Sequence, residues 1–131
     1  MSAESVLAAA TLAALRAAAE VGGAANGVFE GPPVRASEPW IELGPTIAVD
    51  WGTKDRPGRE IRLVLTVRDR AERAARCHAL AAAAGGAIED LPRDLDGWRI
   101  ASIAFVRARV VGERPGEWSA QVEYQVKMLA L

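Results

Sequence analysis

Two rhythms of apolar and polar residues run along this chain, a two-residue alternation and a three-to-four-residue recurrence, and they divide it into strands and helices. From Ser2 to about Val21 an Ala- and Leu-rich stretch predicts a helix, with Ser2 placed to cap it, Glu4 in its first turn and Gly22-Gly23 to stop it. Gly22 to Pro39, with prolines 32, 33 and 39, reads as an extended link that Val28-Phe29 pins to the core. Ile41, Leu43, Ile47 and Val49 share one parity, as do Ile61, Leu63, Leu65 and Val67, with the polar stretch Asp50 to Gly58 between them. That pattern predicts an antiparallel pair.

A second helix is predicted from a capping box at Asp69 and Glu72, carried by Ala74, Cys77, Ala81 and Ala84. It ends at Gly85-Gly86 or frays onward to Leu91, before Pro92. Strand spacing returns from Trp98 to Val111, where Ile100, Ala104, Val106 and Val110 share a parity. A hairpin turn, Gly112 to Gly116, leads to the cleanest alternation in the chain. There Trp118, Ala120, Val122, Tyr124, Val126 and Met128 point inward, while Ser119, Gln121, Glu123, Gln125 and Lys127 form a wet outer face. The expected fold is α+β, an antiparallel four-stranded sheet with two helices on one face in the order αββαββ, formed by residues 1 to 131 as a single domain.

Composition narrows the function mostly by exclusion. The 131 residues are enough for a core without a metal or disulfide staple. Sixteen basic and 17 acidic side chains leave a formal net charge of -1, without the positive excess of a dedicated nucleic-acid binder. Cys77 is the only cysteine, so no intrachain disulfide forms and a reducing compartment fits. The apolar run Val6 to Leu15 lacks a preceding basic segment and is too short to span a bilayer, so neither a targeting sequence nor a membrane partner is expected.

Candidate chemistry is sparse. Cys77 and His78 are neighbours on a helix, about 100° apart, and do not face one substrate as nucleophile and base. One histidine and one cysteine make no zinc set. Glu89, Asp90, Asp94 and Asp96 match no calcium loop and read as a solvated turn. Neither glycine pair precedes a Lys with Ser or Thr, as a phosphate loop requires. No catalytic, cofactor or metal residues are assigned. Arg62 with Arg68, and Arg107 with Arg109, suggest a basic sheet face suited to pairing with an acidic neighbouring subunit. The loop after Val49 stands out, because it gathers Trp51, Lys54, Asp55, Arg56 and Arg59, the aromatic and arginine mixture that interface cores favour. Trp51 either folds back on the core or meets a partner.

Val28-Phe29 before a proline-rich link, Pro39-Trp40-Ile41-Glu42-Leu43-Gly44, Asp50-Trp51-Gly52-Thr53-Lys54, Gly58-Arg59-Glu60-Ile61-Arg62-Leu63 and the late Trp98 and Trp118 strands follow one another in an order that covers most of the chain. This order resembles the tail-terminator, or tail-completion, proteins of long-tailed bacteriophages and gene transfer agents. The resemblance implies a structural subunit with no enzymatic activity. It would assemble in the bacterial cytoplasm as a ring, a homohexamer, that caps the tail tube, ends its polymerisation and joins the tail to a head-side connector or stopper at the tail-head junction. DNA would pass through as cargo. On this view the Asp50 to Arg59 loop meets the tube or connector, and the Gly22 to Pro39 link, polar strand faces and sheet edges make the lateral contacts. Two alternatives stay open: a small α+β ligand-binding or enzymatic domain in which Asp50, Asp55, Glu60 and His78 converge, and another joining protein, an adaptor or stopper.

Overall fold

The computed structural model describes all 131 residues. Helix α1 spans Ala3–Ala17, with the Ser2 hydroxyl accepting the Ser5 amide at its start, and buries Val6, Leu7, Thr11, Leu12 and Leu15 at helical spacing. At Ala18 the backbone turns extended, and a short turn α2 follows at Ala19–Gly22. No glycine or proline forces this break. It places Val21 in the core, and the Arg16 guanidinium crosses to the Val28 carbonyl at 2.7 Å.

Seven strands follow: β1 Val28–Phe29, β2 Trp40–Leu43, β3 Ile47–Asp50, β4 Gly58–Arg70, β5 Asp94–Leu95, β6 Trp98–Arg114 and β7 Glu117–Ala130, with helix α3, Ala75–Glu89, between β4 and β5. They form one curled sheet in the order β1-β2-β4-β7-β6-β5, with β3 beside β2 on the same edge of β4. The expected four-stranded antiparallel αββαββ arrangement is therefore corrected on three counts. Val28-Phe29 is a strand, and it pairs parallel with β2, so the sheet is mixed. The run expected as one strand from Ile41 to Val49 is two, and Asp94-Leu95 adds a short partner to β6.

The split between β2 and β3 also turns side chains over. Four residue steps from Leu43 to Ile47 span only three on β4, from Leu65 to Arg62. An odd mismatch of this kind exchanges the faces. Ile41 and Leu43 consequently pack under the helices, whereas Ile47 and Val49, expected beside them, lie exposed on the opposite, open face. In β6 three register shifts do the same, so that Ile103 and Phe105 lie opposite the inward Val126 and Tyr124 while Ala104 lies opposite the outward Gln125.

Helix α3 does not use the expected capping box. Asp69 belongs to β4, its buried carboxylate takes the Arg76 guanidinium at 2.6 and 3.0 Å, and Ala74 stands at the helix start without a side-chain cap. The helix also runs straight through Gly85-Gly86 to Glu89. Gly85 is there for packing. A Cβ on it would sit 2.9 Å from the Tyr124 hydroxyl, which donates to the Glu89 carboxylate at 2.5 Å and lies 3.3 Å from the Gly85 carbonyl. Burial, then the hydrogen bond and charge of Glu89, push that phenol well above its usual range. Beneath α3, Ile61, Leu63, Leu65 and Val67 of β4 interlock with Ala120, Val122, Tyr124, Val126 and Met128 of β7. Cys77 is fully buried there, and burial, then the Asp69 charge, raise its thiol pKa. No helix is long and apolar enough to cross a membrane.

Candidate interaction surfaces

The polar loop closes the β3–β4 hairpin, and its predicted residues divide into two groups. Gly58 lets β4 start tightly: a Cβ there would meet the Trp51 carbonyl at 2.9 Å and the Leu129 side chain at 3.0 Å. Trp51 folds back half-buried beneath the Lys127 ammonium, 5.4 Å from the ring centroid. Arg56 donates twice to the Ala130 carbonyl, at 2.9 and 2.6 Å, fastening the loop to the end of β7. Arg59 donates to the Gly58 carbonyl at 2.8 Å and lies 3.6 Å from Asp50. Lys54 and Asp55, by contrast, stand exposed at the tip with no ion-pair partner, on a turn held by the Thr53 hydroxyl. The loop is thus a braced platform with a free charged tip.

On the open face, β4, β7 and β6 align Arg62, Glu123 and Arg107 in a row. The Glu123 carboxylate receives Arg62 at 3.1 Å and Arg107 at 3.0 Å and is 7% exposed, although its alternation predicted a wet position. Arg68 pairs with buried Glu42 at 2.9 Å, and Lys127 lies 3.9 Å from Glu60. Three of the four arginines expected to seek an acidic neighbour are therefore paired within the chain, and Arg109 alone has no internal ion pair. A shallow 440 Å³ groove on this face is lined by Ile47, Val49, Arg62, Val64, Arg107 and Glu123.

Burial pushes the Glu123 carboxyl upward, but the hydrogen bonds and charges of Arg107 and Arg62 outweigh it and hold the group below the ordinary carboxylate range. Its folded pKa thus lies below the unfolded value of about 4.3. The stabilisation is complete above that unfolded value and is lost as pH falls through the folded one. Urea midpoints are expected to drop below about pH 4.3, and Glu123→Gln is expected to lower stability at neutral pH while flattening that acid limb. A titration that is equally steep in both chains would remove this role for Glu123.

The residues of the enzymatic alternative do not converge. His78 is exposed on α3, on the helix side of the sheet, whereas Glu60 lies on the open face and Asp55 at the loop tip. Among the acidic turn residues, Glu89 is held by Tyr124 and Asp94 by Arg99 at 2.7 Å. No three His, Cys, Asp or Glu side chains gather as a metal site.

Sheet edges were expected to make lateral contacts, but sequence patterning did not say which strands they are. Beyond Ile100, whose amide bonds the Arg93 carbonyl, β6 has no partner on its outer side from Ala101 to Arg114. On the other side, β3 pairs only with β4. Phe105 at 59% and Val106 at 38% exposure lie on the first edge, and Ile47 at 61% and Val49 at 51% on the second. The surplus of apolar residues along β6, beyond what its inward positions use, was the available signal.

No curated protein matches the chain. Among solved structures, a chain from the virion of a native gene transfer agent particle is similar at 27% identity and a TM-score of 0.80, with 97% of each chain covered. The family model described as Tail completion protein gp17 matches residues 9–128, nearly the whole sequence, and the chain therefore belongs to the tail completion protein gp17 family.

Proposed function

We propose that this protein is the tail terminator of a long-tailed phage or gene transfer agent particle: a homohexameric ring that caps the tail tube, ends its polymerisation and joins the tail to the head-side connector. The observation that carries the reading is the likeness, over 97% of both chains, to a virion chain of a gene transfer agent particle. Two features agree with it. The molecule has free edges on both sides of one sheet, as a subunit with two lateral neighbours requires. Its open face also neutralises most of its own arginines, so a channel lined by that face would let DNA slide without gripping the phosphates. The braced loop, with Trp51, Arg56 and Arg59 behind and Lys54 and Asp55 at the tip, is the contact with the tube or connector. The chain acts by assembly, first in the bacterial cytoplasm and then at the tail-head junction.

The test is deletion of the coding sequence from the producing strain, with particles imaged by negative-stain electron microscopy. Overlong, unattached tails beside filled, tailless heads are expected. Tails of normal length with the same joining defect would instead indicate an adaptor or stopper, and normally joined particles would overturn the reading.

A further inference from the structure

We infer that neighbouring copies of this chain join through their sheets, the free outer edge of β6 in one copy pairing antiparallel with the free edge of β3 in the next. This rests on the ring reading and specifies its lateral contact. Every large exposed hydrophobic residue that lies in a strand belongs to β3 or β6: Ile47, Val49, Phe105 and Val106. Each of these two strands also has an outer edge without a strand partner, all of β3 and β6 beyond Ile100. An unpaired strand edge that also exposes large apolar side chains is a ready template for pairing with another chain, and covering it in the assembled state removes that hazard.

Strand direction selects the pairing. β3 runs antiparallel to β4, β4 to β7 and β7 to β6, so β3 and β6 point in opposite directions within one molecule. A second copy carried around an axis roughly along the strands brings its β3 antiparallel to the first copy's β6, with the helices of both on the same side. The contact is heterologous: each copy uses β6 toward one neighbour and β3 toward the other, and closure of the ring leaves neither edge open. Charge disfavours the like pairing. β6 carries Arg107 and Arg109 on its open face, so two β6 edges would set the arginines of both copies together on one face, which β6 on β3 avoids.

The experiment places Val49→Cys on β3 together with one of Ser102→Cys, Ala104→Cys or Arg109→Cys on β6, all on the open face, and treats the proteins with a short bismaleimide. The reagent is applied both to assembled particles and to the purified chain at high concentration, so that a joining defect does not remove the readout. Cys77 is buried and leaves the unsubstituted chain unlinked. At least one pair is expected to give a ladder of multimers on denaturing gels, while every single variant stays monomeric. Dimers from a β6 variant alone would overturn the pairing in favour of a two-fold contact between β6 edges. Joined particles in which none of the three pairs cross-links would overturn the edge contact while leaving the tail-terminator function standing.

Discussion

A chain carrying both Trp51→Ala and Arg59→Ala is expected to fold and to leave tails unjoined. The folding half follows from how little each side chain contributes to the free subunit. The Lys127 ammonium over Trp51 is a partly exposed cation–π contact, worth about 0.5–1 kcal/mol. The Arg59–Asp50 pair is 3.6 Å long with both side chains solvated, in the range where ion pairs give about 0–1 kcal/mol. Their combined loss is small beside a typical stability of about 5–15 kcal/mol. The joining half follows from the kind of residue involved, because truncating one Trp or Arg hot spot costs about 2 kcal/mol or more in binding, roughly 30-fold in affinity. Joined particles should fall by at least that factor, counted in micrographs, while the circular dichroism melt shifts by only a few degrees. An unfolded double variant would make the loop part of the core, and unchanged joining would move the contact elsewhere.

The two adjacent glycines of α3 are expected to respond in opposite senses. Gly85→Val drives side-chain atoms into the Tyr124 hydroxyl, already only 2.9 Å from where a Cβ would sit, and disturbs its bond to Glu89. Overpacking of this kind costs about 1–3 kcal/mol. Gly86 faces open space on the same helix, where nothing lies within 4 Å of a Cβ. Gly86→Ala is therefore expected to stabilise by about 1 kcal/mol, the difference in helix propensity. Chemical denaturation of the two variants checks the pair. Equal effects of the same sign would mean that Tyr124 does not depend on Gly85 for its place.

These glycines also mark where sequence patterning lost the structure. Gly85-Gly86 predicted a helix that ends there or frays onward to Leu91, because propensity counts the cost of two glycines and does not see a tyrosine arriving from a strand 39 residues away. Val28-Phe29 predicted only a pinned link, since two residues carry no period, and the parallel pairing that makes them a strand comes from β2. Ile47 and Val49 carried the correct alternation and landed on the wrong face, because the extra residue between β2 and β3 is visible only against β4. What was legible is what alternation specifies locally: the buried faces of β4 and β7, the β3–β4 and β6–β7 turns, and the capped start of α1. The loop from Asp50 to Arg59 was legible as a feature through its composition. That Arg56 binds the Ala130 carbonyl, 74 residues away in sequence, was not.

The enclosed thiol of Cys77 gives the molecule a gauge of its own opening. Its sulfur sits under α3 with no exposure, and burial keeps it protonated, so an alkylating reagent meets it only when the helix lifts from the sheet. The rate at which that single atom is modified thus counts openings of the α3–sheet interface, in the free chain and again in the finished particle. The ratio of the two rates measures how far assembly clamps each subunit shut.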